Sequence, residues 1–161
     1  MKYFQMICFI LAANLVHAQQ YWDPGNDAVP VFQDCNIFDL SIASWYPIPQ
    51  IRYCPDDIDT ANAHFPGAGH FYFVHEYGHV ILHSGDEELV DKWACEKLEK
   101  IDKGYYYLNA FIGHLKARCD CGEVAKPGYG TPCERRKRII RDIKFVNPYL
   151  CFNKSSGQFE D

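Results

Sequence analysis

His75-Glu76-Tyr77-Gly78-His79 is followed, after Ser84-Gly85, by Glu87-Glu88-Leu89-Val90-Asp91, and the two runs together read as a helical hairpin closed around a cation. Two histidines at i and i+4 project from one helical face about a turn apart, which suits two corners of a tetrahedral zinc site. Glu76 lies one residue further round. From there its carboxylate reaches a water on an open corner and takes its proton as general base while that water attacks a carbonyl. Phe71-Tyr72-Phe73-Val74 before the motif and Val80-Ile81-Leu82 after it are apolar, as expected of a helix buried in a small domain. The other reading is a pair of core histidines with no metal. It requires burial of two neutral imidazoles and an acid without a cation, which is costly.

Ser84-Gly85 ends the first helix, and Ser84-x-x-Glu87 has the form of a capping box opening a second. Glu87 and Asp91 share a face at i, i+4, alongside the apolar stripe of Val90, Ala94 and Leu98. Folding that face onto the histidines makes Glu87 the third ligand and Asp91 an outer carboxylate holding an imidazole N–H, with Glu88 on the wet side. Two alternatives stand beside it. Glu87 only caps its helix while Asp91 is solvated, or His83, four residues past His79, takes the third corner; the other role for His83 is a charge near a helix C-terminus.

These residues, with Trp93-Ala94-Cys95 downstream, resemble the compact gluzincin metallopeptidases, which are thermolysin-like in active-site logic but far smaller. The resemblance is specific from about Phe71 to Leu98. It implies one Zn2+ held by His75, His79 and Glu87, with Glu76 as the base, Asp91 orienting a histidine ligand, and a peptide or protein as substrate. Ile51-Arg52-Tyr53-Cys54-Pro55 resembles the strand before the active-site helix in such proteins, and Gly128-Tyr129-Gly130-Thr131 with the helix after it resembles their closing loop. Val90 departs from the family, which usually carries alanine before the aspartate, and sets a larger side chain close to the metal. Tyr129, His114 and Arg138 are the candidates for stabilising an oxyanion opposite the zinc; their other roles are a core aromatic, a surface histidine and a solvated cation. The rival function is a secreted zinc-binding module that recognises a partner without hydrolysing it. Intact Glu76 argues against that module, and Val90 and the small size argue for it. A disulfide-rich structural protein with an accidental motif is the third reading.

The remainder of the chain bears on compartment and partners. Lys2, an apolar run over residues 6–15 and Val16-His17-Ala18 read as a secretory signal ending at residue 18, leaving one domain over 19–161. That run is too short to span a bilayer, and no later stretch is suited to crossing one. Eight cysteines leave seven once Cys8 is removed, which in a secreted chain predicts three disulfides and one thiol. Cys119-Asp120-Cys121 lacks a matched second pair and reads as a loop staple rather than a zinc ribbon. A net charge of −5 argues against nucleic acid as a partner. Arg135-Arg136-Lys137-Arg138, with Ile139, Ile140 and Ile143, reads as an amphipathic helix with a solvated basic face. Asn153-Lys154-Ser155 fits a glycosylation acceptor. The oligomeric state is not encoded in any of these features.

The expected fold class is α+β, a small sheet backed by helices with the zinc between two of them. Residues 19–33 and 152–161 are expected to be poorly ordered. A half-buried strand is predicted over 35–42, with Phe38, Leu40 and Ile42 facing inward, and a second over 51–54. Pro66 opens the active-site helix. Further helices are predicted over 86–103, 105–116 and 134–145, with a cysteine-rich loop over 118–131.

Overall fold

The computed structural model describes residues 29–143, 151–153 and 158–160. The predicted signal segment, residues 19–28 of the predicted arm, and Lys154 and Ser155 of the acceptor pattern lie outside the described residues. The architecture is α+β. Strands β1 (Val31–Gln33), β2 (Ser41–Ser44) and β3 (Gln50–Tyr53) form a sheet in the order β1-β3-β2, β1 parallel and β2 antiparallel to the centre. The helices follow as α1 (Pro55–His64), α2 (Ala68–Leu82), α3 (Glu87–Leu98), α4 (Gly104–Asp120) and α5 (Pro132–Asp142). A two-stranded antiparallel ribbon, β4 (Cys151–Asn153) with β5 (Gln158–Glu160), ends the described chain. Strand β1 falls within the arm expected to be loose, and most of this ribbon within the tail expected to be loose from 152.

Helix α2 is the axis of the domain. Its residues from Ala68 to Val80 are almost all buried, because it packs against β2 and β3 on one side and against α3 and α4 on the others. Phe71 stacks on Phe111 of α4 at 3.9 Å between ring centroids, and Phe73 meets Tyr53 of β3 edge-on at 4.9 Å. Gly78 lets α3 come close, since a Cβ there would lie 2.9 Å from Val90 Cγ1 and 3.0 Å from the Trp93 ring. The bulk of Val90 is therefore taken up against Gly78, where an alanine would leave a gap.

Several boundaries differ from the sequence reading, each for a local reason. Helix α2 begins at Ala68, after Gly67 at φ +95°, so Pro66 lies in the preceding turn instead of opening the helix. Helix α3 is capped by Asp86, whose carboxylate accepts from the Glu88 and Leu89 amides, and not by a Ser84 capping box. It stops at Leu98 rather than residue 103, and α4 runs on to Asp120, shortening the predicted loop. Thr131 and Glu134 form a reciprocal capping box that starts α5 at Pro132, and Ile143 is already extended, so that helix is shifted toward the N-terminus. Helix α1 has no counterpart in the sequence reading.

The strand predicted at 35–42 is the most informative miss. Residues 34–40 form a turn tied by the Cys35–Cys54 disulfide, and pairing starts only at Ser41 with the opposite face inward. Phe38 is 105% and Ile42 40% exposed, while Ser41 is buried. A second disulfide, Cys119–Cys133, joins the end of α4 to the start of α5. Among the described residues these are the two disulfides, against three predicted; Cys95 is a buried thiol, Cys121 an exposed one, and Cys151 stands in β4. Among the described residues no helix is long and apolar enough to cross a membrane.

Candidate metal centre

Helices α2 and α3 bring three donor atoms together. His75 Nε2 lies 3.0 Å from His79 Nε2 and 3.0 Å from Glu87 Oε2, and His79 Nε2 lies 3.2 Å from the same oxygen. His75, His79 and Glu87 are among the described groups whose ligand atoms all fall within 4.8 Å of one another. The i, i+4 spacing on α2 sets the imidazoles one above the other, and the turn at 83–86 reverses the chain so that the first turn of α3 faces them.

The outer nitrogens show why such a cluster demands a cation. His75 Nδ1 is 2.9 Å from Asp91 Oδ1, and His79 Nδ1 is 2.6 Å from the Ser84 carbonyl oxygen. Both partners are pure acceptors, so in a neutral ring each Nδ1 carries the proton and donates it. Each Nε2 is then left with a lone pair, and the two lone pairs meet each other and a carboxylate oxygen. Such an arrangement is repulsive unless a proton or a metal sits among them. A tetrahedral zinc site with bonds of about 2.0–2.1 Å separates its ligand atoms by about 3.3 Å, close to the spacing here. The residues fit one zinc ion.

The electrostatics agree. Burial alone would push the His75 and His79 imidazoles down, but the Asp91 and Glu87 carboxylates beside His75, and Glu87 with the Ser84 carbonyl beside His79, outweigh it and raise both. Burial works against the charged form of Glu87 as well, yet the two histidines hold it far below the usual carboxylate range. Protons and metal therefore compete for the same nitrogens, and the raised imidazoles win on acidification. Any metal held there is expected to be lost on acidification, at a pH below that at which the metal-free imidazoles take up their protons. Elemental analysis after dialysis at stepped pH measures this, and occupancy that stays flat into strong acid would remove the histidines from the ligand set.

Glu76 is buried, and its Oε1 accepts a hydrogen bond of 3.1 Å from Ser41 Oγ. Burial raises its proton affinity, partly offset by His75 and His79. Ser41 is an inward position of β2, and its hydroxyl donates to this carboxyl. Glu76, Ser41, Tyr72, Arg118, Tyr129 and Arg135 all line one cavity.

Arg135 corrects the solvated basic face. It is 5% exposed, and its Nε and Nη2 donate to Asp91 Oδ2 and Oδ1 at 2.9 and 2.7 Å. Its guanidinium lies 4.2 Å over the Tyr129 ring and 5.2 Å over Phe111. Burial opposes ionisation of both partners, but the Arg135 charge, with His75, holds Asp91 below its ordinary range. A chain of contacts thus runs from Arg135 through Asp91 to His75. Asp91 is buried, so the alternative of a solvated Asp91 does not hold.

The remaining candidates separate clearly. The Tyr129 hydroxyl is 3.3 Å from His75 Nε2, on a loop whose carbonyl at Tyr129 accepts from Arg138 Nη2 at 2.6 Å. Burial pushes the Tyr129 phenol well above its usual range, so without a cation it is a hydrogen-bond donor to the cluster. Arg138 braces that loop. His114 packs against Phe65 and Tyr72, away from the cluster, and burial there, with Arg118, lowers its imidazole to about 4. His83 caps α2 in the left-handed conformation at φ +48°, exposed, and contributes no atom to the cluster. Glu88 reaches out to Arg141 at 3.0 Å on the surface.

Compared with protein-family models, curated proteins and solved structures, the chain matches none.

Proposed function

We propose that the protein is a secreted zinc-dependent metallopeptidase whose metal is held by His75, His79 and Glu87 and whose base is Glu76. The observation that carries this reading is the meeting of two Nε2 lone pairs and a carboxylate oxygen at 3.0–3.2 Å, with a buried carboxyl on the next residue of the same helix. A zinc ion held by these three residues would supply a Lewis acid for a peptide carbonyl and an acidic water near neutral pH. Glu76 receives the proton of the attacking water and delivers it to the departing amine, with Ser41 fixing one of its oxygens. Arg135 and Asp91 keep the His75 ring turned with Nε2 inward. The two disulfides suit an oxidising compartment and support secretion. A net charge of −5 favours peptide over nucleic acid as the partner.

One observation favours a second reading, a zinc-binding interaction module without hydrolysis: the Tyr129 hydroxyl stands beside the donors, and four protein donors are the mark of a closed, structural zinc site. Hydrolysis of a denatured protein by the zinc-loaded wild type separates the two.

A ligand series tests the site itself. Glu87→Ala is expected to weaken zinc more than any other change on α3, Asp91→Asn by about 10–100-fold through the outer shell, and Glu88→Ala hardly at all. Competition against a chromogenic chelator, with circular dichroism to exclude unfolding, ranks the three. Greater damage from Glu88→Ala would reverse the assignment.

A further inference from the structure

We propose that Tyr129 is a fourth protein ligand, closing the metal's remaining corner in the resting protein through its hydroxyl oxygen. This rests on the metal reading of the histidine and glutamate cluster. The Tyr129 oxygen lies 3.3 Å from His75 Nε2, almost the same as the 3.0–3.2 Å that separate the three assigned donors from one another. That single edge is close to the roughly 3.3–3.6 Å edges of a tetrahedral site with bonds of about 2.0–2.2 Å.

The loop is built to deliver this phenol. Gly128, at φ +82°, approaches α3 so closely that a Cβ would lie 2.8 Å from Glu87 Cγ, so the backbone lies directly on the ligand's side chain. Lys126 and Gly130 bond each other's backbones across the loop, and Lys126 reaches Asp39, in the turn before β2, at 3.1 Å. Arg138 holds the Tyr129 carbonyl, and Arg135, already bonded to Asp91, lies over the ring. Tyr129 is therefore fixed from its backbone, its ring face and its hydroxyl at once. An oxygen supported this far is a ligand position rather than a passing contact.

When Zn2+ binds, the Tyr129 O–H bond breaks, an oxygen–metal bond forms and the proton leaves to solvent. Loss of a ligand proton on coordination is the ordinary consequence of the ion's charge. The corner a hydrolytic water needs is then held by the chain itself, and access to it requires the Gly128–Gly130 loop to lift.

The test uses the oxidised full chain, freed of metal and loaded with one equivalent of Cu2+ or of Zn2+. Wild type with copper is expected to show a visible phenolate-to-copper charge-transfer band that is absent from Tyr129→Phe, which keeps the ring on Arg135. With zinc, Tyr129→Phe should bind about tenfold more weakly, as for loss of a supporting ligand. Gly128→Ala, which pushes the loop off Glu87, should lose the band although the phenol is still present. Full copper occupancy in wild type without the band, or a band that survives Tyr129→Phe, overturns the proposal while leaving the three-residue site standing. Failure of wild type to bind either metal overturns the site itself, and the fourth ligand with it.

Discussion

Glu76→Gln is expected to keep its zinc and lose about 10²–10⁴-fold in the hydrolysis of a denatured protein or mixed peptide substrate, the usual contribution of a positioned general base. The amide preserves the shape of the carboxyl and can still meet Ser41 Oγ, so the burial of the site and the neighbouring ligands are unchanged. What it cannot do is take a proton. The expected pattern is a fall in kcat with KM little altered, because the lost interaction belongs to the reacting water and not to the bound chain. Loss of zinc in this variant would contradict the role given to Glu76, since it would make the residue part of the metal's support.

The second large effect is on stability. Arg135→Met leaves the Asp91 carboxylate buried, 2% exposed, with the His75 imidazole in place of its bidentate partner, and breaking such a buried pair costs up to about 3–5 kcal/mol. Denaturant unfolding of the metal-free protein reads this directly. Adding Asp91→Asn to Arg135→Met removes the stranded charge, so the double variant should recover a substantial part of the loss, a coupling that distant sites do not show. A single variant within about 1 kcal/mol of wild type would mean that the pair is no more than a surface contact. The double variant should still bind zinc weakly, because the His75 ring loses its charged acceptor.

The site was more legible in the sequence than the frame around it, for physical reasons. Regular helix geometry turns the i, i+4 spacings His75/His79 and Glu87/Asp91 directly into shared faces, so the meeting of these side chains needed little knowledge of the tertiary fold. The Ser84 carbonyl that orients His79 had no such signal, since every residue has a carbonyl. Ser41 was obscured by the alternation of Phe38, Leu40 and Ile42, which points the wrong face inward; a buried hydroxyl bonded to Glu76 stands where that pattern expects an exposed residue. Arg135 was taken for a solvated charge because it opens a run of four basic residues. Its place gave a warning: it lies four residues before the buried Ile139, on the same face of α5. Helix α1 also carried a start signal, Pro55 at its first position with Asp56 and Asp57 in the first turn. The turn at 34–40 depends on a disulfide whose connectivity the sequence does not determine.

Zinc content of the correctly oxidised protein, measured beside His79→Ala, tests the central claim most directly. The geometry of His75, His79 and Glu87 predicts about one zinc per chain in wild type after removal of loosely bound metal, and far less in His79→Ala with its fold intact by circular dichroism. Well under half an equivalent in wild type, or equal zinc in the two proteins, would contradict it.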